Sequence, residues 1–380
     1  MRGLPTRARL PARADGWSSR LNSAAAGGPL AEFARCGSAD TIVTAGPLRA
    51  GGARRSTVNA PDRKGNRTAQ EPAGNEPCAD PVPHWNVEQI VAQLRALRRG
   101  WRDAHHRPRE GQGREFPSPE ALRRVAQRFR GALFPMRLGP SNLRQEGEDF
   151  YIGHTIEDAL NELLEQVKLE LRGAGAPSGE QPGSADRKAV QIVQSLAAQL
   201  PEVRAELDKD VEAAYRGDPA AHSVDEVLLC YPGAIAIIHH RIAHRLYKLG
   251  APMVARMFSE IAHSETGIDI HPGATIGSSF FIDHGTGVVI GETAVIGERV
   301  RLYQAVTLGA RSFAVGPQGE LQKGNPRHPI VEDDVVIYAG ATILGRVTIG
   351  KGSTIGGNVW LTRSVPPGSQ ITQAQSQQQS

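Results

Sequence analysis

From Ile270 onward an aliphatic residue returns at every sixth position, and this period constrains the fold more than any other feature of the chain. A helix repeats every 3.6 residues and a half-buried strand every two, so neither produces a period of six. Repeating units that each contain one short strand and a turn do produce it. The sequence therefore predicts a left-handed parallel β-helix, in which three units form one triangular coil. The aliphatic positions are Ile270, Ile276, Ile282, Ile290, Ile296, Leu302, Leu308, Val331, Ile337, Ile343, Ile349, Ile355 and Leu361.

The period is interrupted twice. It slips between Ile282 and Ile290, and it is lost between Leu308 and Val331, where the sequence is polar and rich in Gly and Pro. An excursion of this kind from a regular solenoid is often functional. We therefore predict a β-helix over 267–368 with a functional loop at 310–329.

Before the β-helix, the apolar spacing of three and four residues over 84–266 predicts a helical domain. The fold class is thus α+β, an N-terminal all-helical domain followed by the β-helix. A Gly/Pro/Ser-rich linker is predicted at 173–184. Helices are predicted to begin at Ser118, Thr155 and Ser223, each of which has a capping signature. Helices are predicted to end at Gly217, Gly250 and Gly267. The last four helices are predicted at 185–200, 202–216, 224–249 and 252–265.

Composition limits the remaining segments. Residues 1–83 carry 12 Lys and Arg against 7 Asp and Glu and show no apolar period, so we predict a disordered basic segment. This composition fits three explanations, a disordered tail, an incorrectly assigned translation start and a targeting peptide. Because the basic excess lies there and not on an ordered face, the sequence argues against nucleic-acid binding. Residues 369–380, rich in Gln and Ser, are predicted to be disordered.

Cysteine usage and hydropathy bear on location. Three widely spaced cysteines do not form a disulfide framework, which favours a reducing compartment, and we expect a cytoplasmic protein. No apolar run approaches the roughly 18 residues that a membrane helix needs, so no membrane association is expected.

Several motifs carry a resemblance to a known family. DIHPGATIG, IDHGTGVVIGETAVIG, LYQAVTLGA, RHPIVEDDVVIYAGATILG and VPPG occur in this order. Over 218–368 the chain resembles serine O-acetyltransferase, a family of hexapeptide-repeat acyltransferases. The resemblance implies transfer of acetyl from acetyl-CoA to the L-serine hydroxyl, which gives O-acetyl-L-serine and CoA in the first step of cysteine synthesis from serine.

The resemblance also implies roles for individual residues. His284 is the general base and Asp269 the carboxylate that orients it. Asp218 and Asp283 contact the substrate ammonium, and Arg327 and His328 contact its carboxylate. The chemistry agrees, because an unperturbed His titrates near neutrality and can accept the proton of a serine hydroxyl. A carboxylate calls for Arg and an ammonium for Asp.

Acetyl-CoA is expected as a co-substrate in a groove between two subunits, with no bound cofactor. By resemblance its contacts are Ala310, whose backbone N–H would hold the developing oxyanion at the thioester, and Ala339, Gly340 and Gly357 on the pantetheine side. The expected assembly is a homotrimer or a dimer of trimers, and L-cysteine is the expected feedback inhibitor. Many members bind O-acetylserine sulfhydrylase through a terminal Ile. Because this chain ends in Ser380, we expect no tight complex through its tail.

Other functions have less support from the residues of this sequence. His240 and His244 lie one helical turn apart, but the motif lacks the Glu of a zinc protease, and no metal site is expected. Cys230 is expected to be buried. A hexapeptide O- or N-acetyltransferase with another small acceptor is the main alternative, and a non-catalytic scaffold is the second. Asp218 with Arg327 and His328 favours an α-amino acid as the acceptor.

Overall fold

The computed structural model describes residues 85–105, 116–173, 183–312, 316 and 319–374. In this part of the chain eight α-helices precede the strands, and a short 3-10 helix, Gln145–Gly147, lies between the third and the fourth. The predicted disordered segment 1–83 and the last residues of the tail lie outside the described residues. The helices are α1 Val87–Ala104, α2 Pro119–Leu133, α3 Pro135–Leu138, α4 Glu148–Gly173, α5 Ser184–Gly217, α6 Val224–Cys230, α7 Pro232–Leu249 and α8 Pro252–Thr266.

Local signals account for several helix ends. The Ser118 hydroxyl accepts from the Ala121 N–H at 3.4 Å, and Ser223 accepts from Glu226 at 3.0 Å, so both predicted caps are confirmed. Gly250 and Gly267 end α7 and α8 in left-handed conformations, with φ of 97° and 70°. Gly tolerates this conformation because it has no Cβ.

Three predicted boundaries are wrong. α5 runs unbroken through Pro201, because the neighbouring Leu200 and Val203 are buried in the helical core. A proline inside a helix costs about 3 kcal/mol, and each buried side chain offsets about 1.5–3 kcal/mol of this. α4 begins seven residues before Thr155, which is buried inside the helix. The predicted helix 224–249 divides at Tyr231, which is extended as the residue before Pro232.

Fourteen short strands follow within the described residues, and they form three parallel sheets. The first face consists of β1 Asp269–Ile270, β4 Val289–Ile290, β7 Thr307–Gly309, β10 Thr342–Leu344 and β13 Trp360–Leu361. The second consists of β2 Thr275–Ile276, β5 Val295–Ile296, β8 Ile330–Val331 and β11 Thr348–Ile349. The third consists of β3 Phe281–Ile282, β6 Arg301–Leu302, β9 Val336–Ile337, β12 Thr354–Ile355 and β14 Gln370–Ile371.

The strand register confirms the β-helix and both interruptions. All thirteen predicted aliphatic residues are buried. Val289 pairs with Thr307, eighteen residues later, as in a regular coil, whereas Asp269 pairs with Val289 after twenty residues. The two extra residues lie in the turn 283–288. Thr307 pairs with Thr342 after thirty-five residues, and the excess lies in the loop 310–329.

Two details differ from the sequence analysis. The β-helix continues past the predicted limit at Gly368, because β14 pairs with β12 and Ile371 packs against the core. Cys230 is exposed at the end of α6, where the chain turns towards α7.

The helices and the β-helix share one hydrophobic core, and a buried ion pair joins them. Arg241 of α7 donates to both carboxylate oxygens of Asp210 in α5 at 3.1 Å. The same guanidinium donates to the carbonyls of Ile276 and Gly277, and Asp210 accepts from the Phe280 N–H at 2.8 Å. These bonds position α5 and α7 against the first coil.

The amphipathic helix α1 contributes no buried residue. Its large apolar side chains are all substantially exposed, and they recur at intervals of three and four residues. They are Val87, Ile90, Val91, Leu94, Leu97 and Trp101, preceded by Trp85.

Candidate active site

Eight of the ten predicted site residues lie along two edges of the triangular β-helix, while Asp269 lies in strand β1 and Asp218 follows helix α5. The base edge joins the third face to the first, and its turns are 283–288, 303–306, 338–341 and 356–359. The arginine edge joins the first face to the second, and its turns are 271–274, 291–294, 310–329 and 345–347. The first face separates the two edges.

His284 lies in the turn that contains the two extra residues. Its backbone is left-handed, with φ of 58°, a conformation that costs a residue with a Cβ roughly 1–2 kcal/mol. The side chain is 70% exposed, while that of the adjacent Asp283 is only 8% exposed. The turn therefore holds an accessible imidazole beside a buried carboxylate, with 3.8 Å between His284 Nε2 and Asp283 Oδ1.

Arg301 compensates the buried Asp283. Its Nη2 lies 2.6 Å from Asp283 Oδ2, and its Nη1 donates to the carbonyl of Gly217 at the end of α5. The guanidinium also lies over the rings of Phe281 and Tyr303. Arg301 thereby connects the last residue of α5 to the base edge.

Asp218 follows Gly217 directly, and its carboxylate accepts two hydrogen bonds. The Tyr231 hydroxyl donates to Oδ2 at 2.5 Å and the Ala220 N–H to Oδ1 at 2.8 Å. The bond from Tyr231 is the main reason that the pKa of Asp218 lies below its usual range, and the charges of Arg301 and His284 act in the same direction. The same bond raises the pKa of Tyr231 to about 12. Asp218 is thus an ionised carboxylate in the neighbourhood of His284.

Asp269 begins β1 on the first face, and its contacts are with α8. Its Oδ1 lies 3.6 Å from Arg256 Nη1, and its carboxylate is grouped with Glu260 and His263. Within the described residues, the carboxylate at ion-pair distance from His284 is Asp283. The orienting role of Asp269 therefore stays a prediction.

The arginine edge carries Arg327 and His328 at the end of the long loop. Arg327 Nη2 donates to Glu292 Oε2 at 2.7 Å, and Tyr247 donates to Glu292 Oε1 at 3.0 Å. Thr293 Oγ1 accepts from the Arg327 N–H at 2.9 Å. Glu292 and Thr293 thus position Arg327 from the preceding coil.

His328 is buried, with its ring against Gly291. Its Nδ1 accepts from the Thr293 N–H at 3.0 Å. Burial, assisted by the charge of Arg327, lowers the pKa of His328 to about 4. The ring is therefore neutral at pH 7, and with Nδ1 as acceptor its proton lies on Nε2. It can donate one hydrogen bond to a carboxylate.

The predicted acetyl-CoA contacts are also divided between the edges. Ala339, Gly340 and Gly357 stack in successive turns of the base edge, and Ala339 accepts from the Asn358 N–H at 2.9 Å. Gly340 has φ of 72°, and a Cβ there would lie 2.3 Å from Asn358 Oδ1. Ala310 follows β7 and begins the long loop on the arginine edge.

Within one subunit, the residues of the base edge do not meet those of the arginine edge. A face spans one six-residue unit, roughly 15–20 Å at about 3.3 Å per residue. A base must approach its proton to about 3 Å.

Sequence reasoning missed Tyr231, Arg301, Tyr247, Glu292 and Thr293, which hold the predicted residues in place. Glu292 and Thr293 stood in the quoted motif, but no spacing rule marks the others.

The described residues bear on two further predictions, that there is no metal site and no membrane span. The described residues contain one group of three potential ligands within 4.8 Å of one another, Glu260, His263 and Asp269, and it includes neither His240 nor His244. His240 is buried, and neither ring nitrogen has a hydrogen-bond partner among the described residues. Across the described helices, none combines the length and the apolar content needed to cross a membrane.

Comparisons with known proteins agree with this architecture. The family described as bacterial transferase hexapeptide (six repeats) matches residues 328–363. A plasmid-encoded serine acetyltransferase of Synechococcus elongatus is 54% identical over 296 residues, which cover 77% of this chain and 92% of the relative. The serine acetyltransferase of Mycobacterium tuberculosis is 48% identical over 158 residues, or 42% of this chain and 65% of the relative.

Solved structures give the same result. Serine acetyltransferase 1 of Entamoeba histolytica in complex with L-cysteine aligns with a TM-score of 0.58 and 38% identity, covering 66% of this chain and 86% of the other. Isoform 3 of the same organism, in complex with cysteine, aligns with a TM-score of 0.55 and 35% identity, covering 66% and 80%.

The hexapeptide coils, with an exposed histidine on one edge and an arginine on another, define an acyltransferase of the hexapeptide-repeat class. Within that class, the identity and coverage of its relatives show that the chain belongs to the serine acetyltransferase family.

Proposed function

We propose that the protein transfers acetyl directly from acetyl-CoA to the hydroxyl of L-serine, with His284 as the general base. The observation that carries this proposal is the exposed imidazole, held beside buried Asp283 in a left-handed turn. A ring nitrogen of His284 takes the hydroxyl proton as the serine oxygen attacks the thioester carbonyl. The tetrahedral intermediate collapses, the C–S bond breaks, and the imidazolium returns the proton to the departing thiolate. The products are O-acetyl-L-serine and CoA.

The electrostatics of the two edges support the substrate assignment. Asp218 and Asp283 offer carboxylates to the ammonium, and Arg327 with neutral His328 offers donors to the carboxylate. Asp269 is proposed to orient His284. Ala310, Ala339, Gly340 and Gly357 are proposed to contact acetyl-CoA, which serves as a co-substrate without a resident cofactor.

The division of the site supports a proposed homotrimer or dimer of trimers. If the base edge of one subunit faces the arginine edge of its neighbour, both substrate groups meet in one groove. Contact between trimers through the helices has a candidate surface in the exposed apolar face of α1. Light scattering tests this assembly, and a purified, active monomer would contradict it.

L-Cysteine is proposed as a feedback inhibitor, because it carries the same ammonium and carboxylate as L-serine. Two Entamoeba histolytica enzymes were solved with cysteine bound. Arg327→Ala should weaken serine and cysteine together. Cysteine inhibition that persisted while serine binding collapsed would exclude a shared site.

The central experiment is an acetyl-CoA assay with L-serine that compares the intact protein with His284→Ala. General-base catalysis contributes roughly 10²–10⁴-fold, so kcat should fall by that factor while acetyl-CoA affinity stays near its original value. His154→Ala is a matched control, because His154 is also exposed but lies in α4. An unchanged kcat in His284→Ala, or a trapped acetyl-protein, would exclude the mechanism.

An acceptor other than serine remains the second candidate function. A screen of amino acids, amines and sugars, with detection of free CoA, distinguishes the two. The cytoplasmic location stays a prediction from the cysteine pattern, and cell fractionation tests it.

A further inference from the structure

A pocket of about 270 Å³ lies beside the arginine edge, and three arginines line it. They are Arg311, Arg327 and Arg346, joined by the polar side chains of Ser312, Gln322 and Asn325. The lining residues that the structure describes include no Asp or Glu. The pocket is therefore a concentration of positive charge without a carboxylate in its wall.

Arg346 and Arg327 are each held in a defined geometry. Arg346 Nη1 donates to the carbonyls of Thr293 at 2.6 Å and His328 at 3.0 Å, which fixes its planar guanidinium without neutralising it. Arg327 is partly compensated by Glu292 at 2.7 Å. A guanidinium has five N–H donors, so each side chain retains donors for a ligand.

Arg311 has neither a hydrogen bond nor an ion pair with any described residue. Its side chain passes close to Gly345, where an added Cβ would lie 3.3 Å from Arg311 Cβ. Gly345 has φ of 91°, so the backbone there suits glycine. The close approach of the two residues places Arg311 in the pocket wall beside Arg346.

We propose that this pocket binds a small tetrahedral oxyanion of the phosphate or sulfate type. Two uncompensated guanidiniums and one partly compensated one repel each other, and an oxyanion relieves that repulsion with charge-assisted hydrogen bonds. The volume lies just below the range of roughly 300–1,000 Å³ for pockets that hold drug-sized ligands, which fits a small anion.

The oxyanion pocket shares Arg327 with the proposed position of the serine carboxylate, but it adds Arg311 and Arg346, which have no proposed role there. His328, the other proposed carboxylate contact, does not line the pocket. A phosphate of bound CoA is a second source of the same chemistry. Arg311, however, follows Ala310, the proposed thioester contact, and the two Cα atoms are only about 3.8 Å apart. Because the phosphates of CoA lie at the far end of its pantetheine arm, we favour the free anion.

The test is calorimetric titration of the intact protein with inorganic phosphate and with sulfate at fixed ionic strength, in the absence of substrates. Arg311→Gln should weaken binding about tenfold, the lower end of what a charge-assisted hydrogen bond contributes in an open site. Arg311→Lys should restore part of the loss, because it keeps the charge but not the planar fork. Arg123→Gln, which removes an exposed charge from α2, is the matched control and should leave binding unchanged.

Two further measurements separate the sources. Because Arg327 is shared, saturating L-serine should weaken phosphate binding, but by less than the roughly tenfold loss expected of Arg311→Gln. Complete, direct competition would overturn the proposal by showing that the pocket is the carboxylate position. If the anion instead belongs to CoA, Arg311→Gln should raise KM for acetyl-CoA but not for acetyl-dephospho-CoA, which would support the proposal with CoA as the source. If Arg311→Gln changes neither the affinity for phosphate and sulfate nor the KM for acetyl-CoA, the oxyanion site is refuted.

Discussion

Gly291→Ala should damage both stability and serine binding, because Gly291 lies against the ring of His328. A Cβ at this position would be 2.0 Å from His328 Cδ2 and 2.1 Å from Nε2. Ordinary van der Waals contact begins near 3.4 Å, so one of the two residues has to move by more than 1 Å.

The cost follows from what holds His328. The ring Nδ1 of His328 accepts from the Thr293 backbone N–H, and the backbone N–H of His328 donates to Thr293 Oγ1 at 3.2 Å. Overpacking of this kind costs about 1–3 kcal/mol. Losing a hydrogen bond when the ring shifts adds about 0.5–1.5 kcal/mol. We therefore expect a loss of about 1.5–4.5 kcal/mol in the free energy of unfolding, together with a higher KM for L-serine.

Urea unfolding at fixed protein concentration measures this loss, because assembly makes stability depend on concentration. Gly153→Ala is the control, since nothing lies within 4 Å of a Cβ in that α4 position, and it should be neutral or slightly stabilising. In a protein that already carries His328→Ala, Gly291→Ala should lower the free energy of unfolding by about 1–3 kcal/mol less than it does in the parent protein. An equal cost in both backgrounds would refute the clash with His328 as the cause.

Three further predictions follow from single contacts. Arg241→Met leaves Asp210 buried and unpaired, so chemical denaturation should show a loss of about 3–5 kcal/mol, partly recovered by adding Asp210→Leu. Tyr231→Phe removes the main cause of the lowered pKa of Asp218, so the acidic limb of serine binding against pH should move to higher pH; an unchanged profile would contradict that role. His328 has a pKa of about 4 in the folded protein, below its unfolded value near 6.5, so its stabilising contribution is complete above pH 6.5 and is lost as pH falls towards 4. His328→Gln should flatten that part of the stability curve, and a slope equal to that of the parent would count against the assignment.

The sequence determined the β-helix almost completely. Each unit has the same six residues in the same conformation, so an aliphatic residue at a fixed position has only the interior of the coil to occupy. Both interruptions could be located for the same reason, since any extra residue has to leave the regular turn. The motifs likewise predicted the residues of the proposed site, such as His284 and Arg327.

Tertiary structure decided what those residues touch. Pro201 failed to end a helix because burial on both sides outweighed a local rule. Among the described residues, Asp283 is the carboxylate at ion-pair distance from His284, while the side chain of Asp269 lies against Arg256 of α8. The bond from Arg301 to Gly217 spans 84 positions and depends on how the helices pack against the coils. Such distances are set by packing, which no local pattern of the sequence encodes.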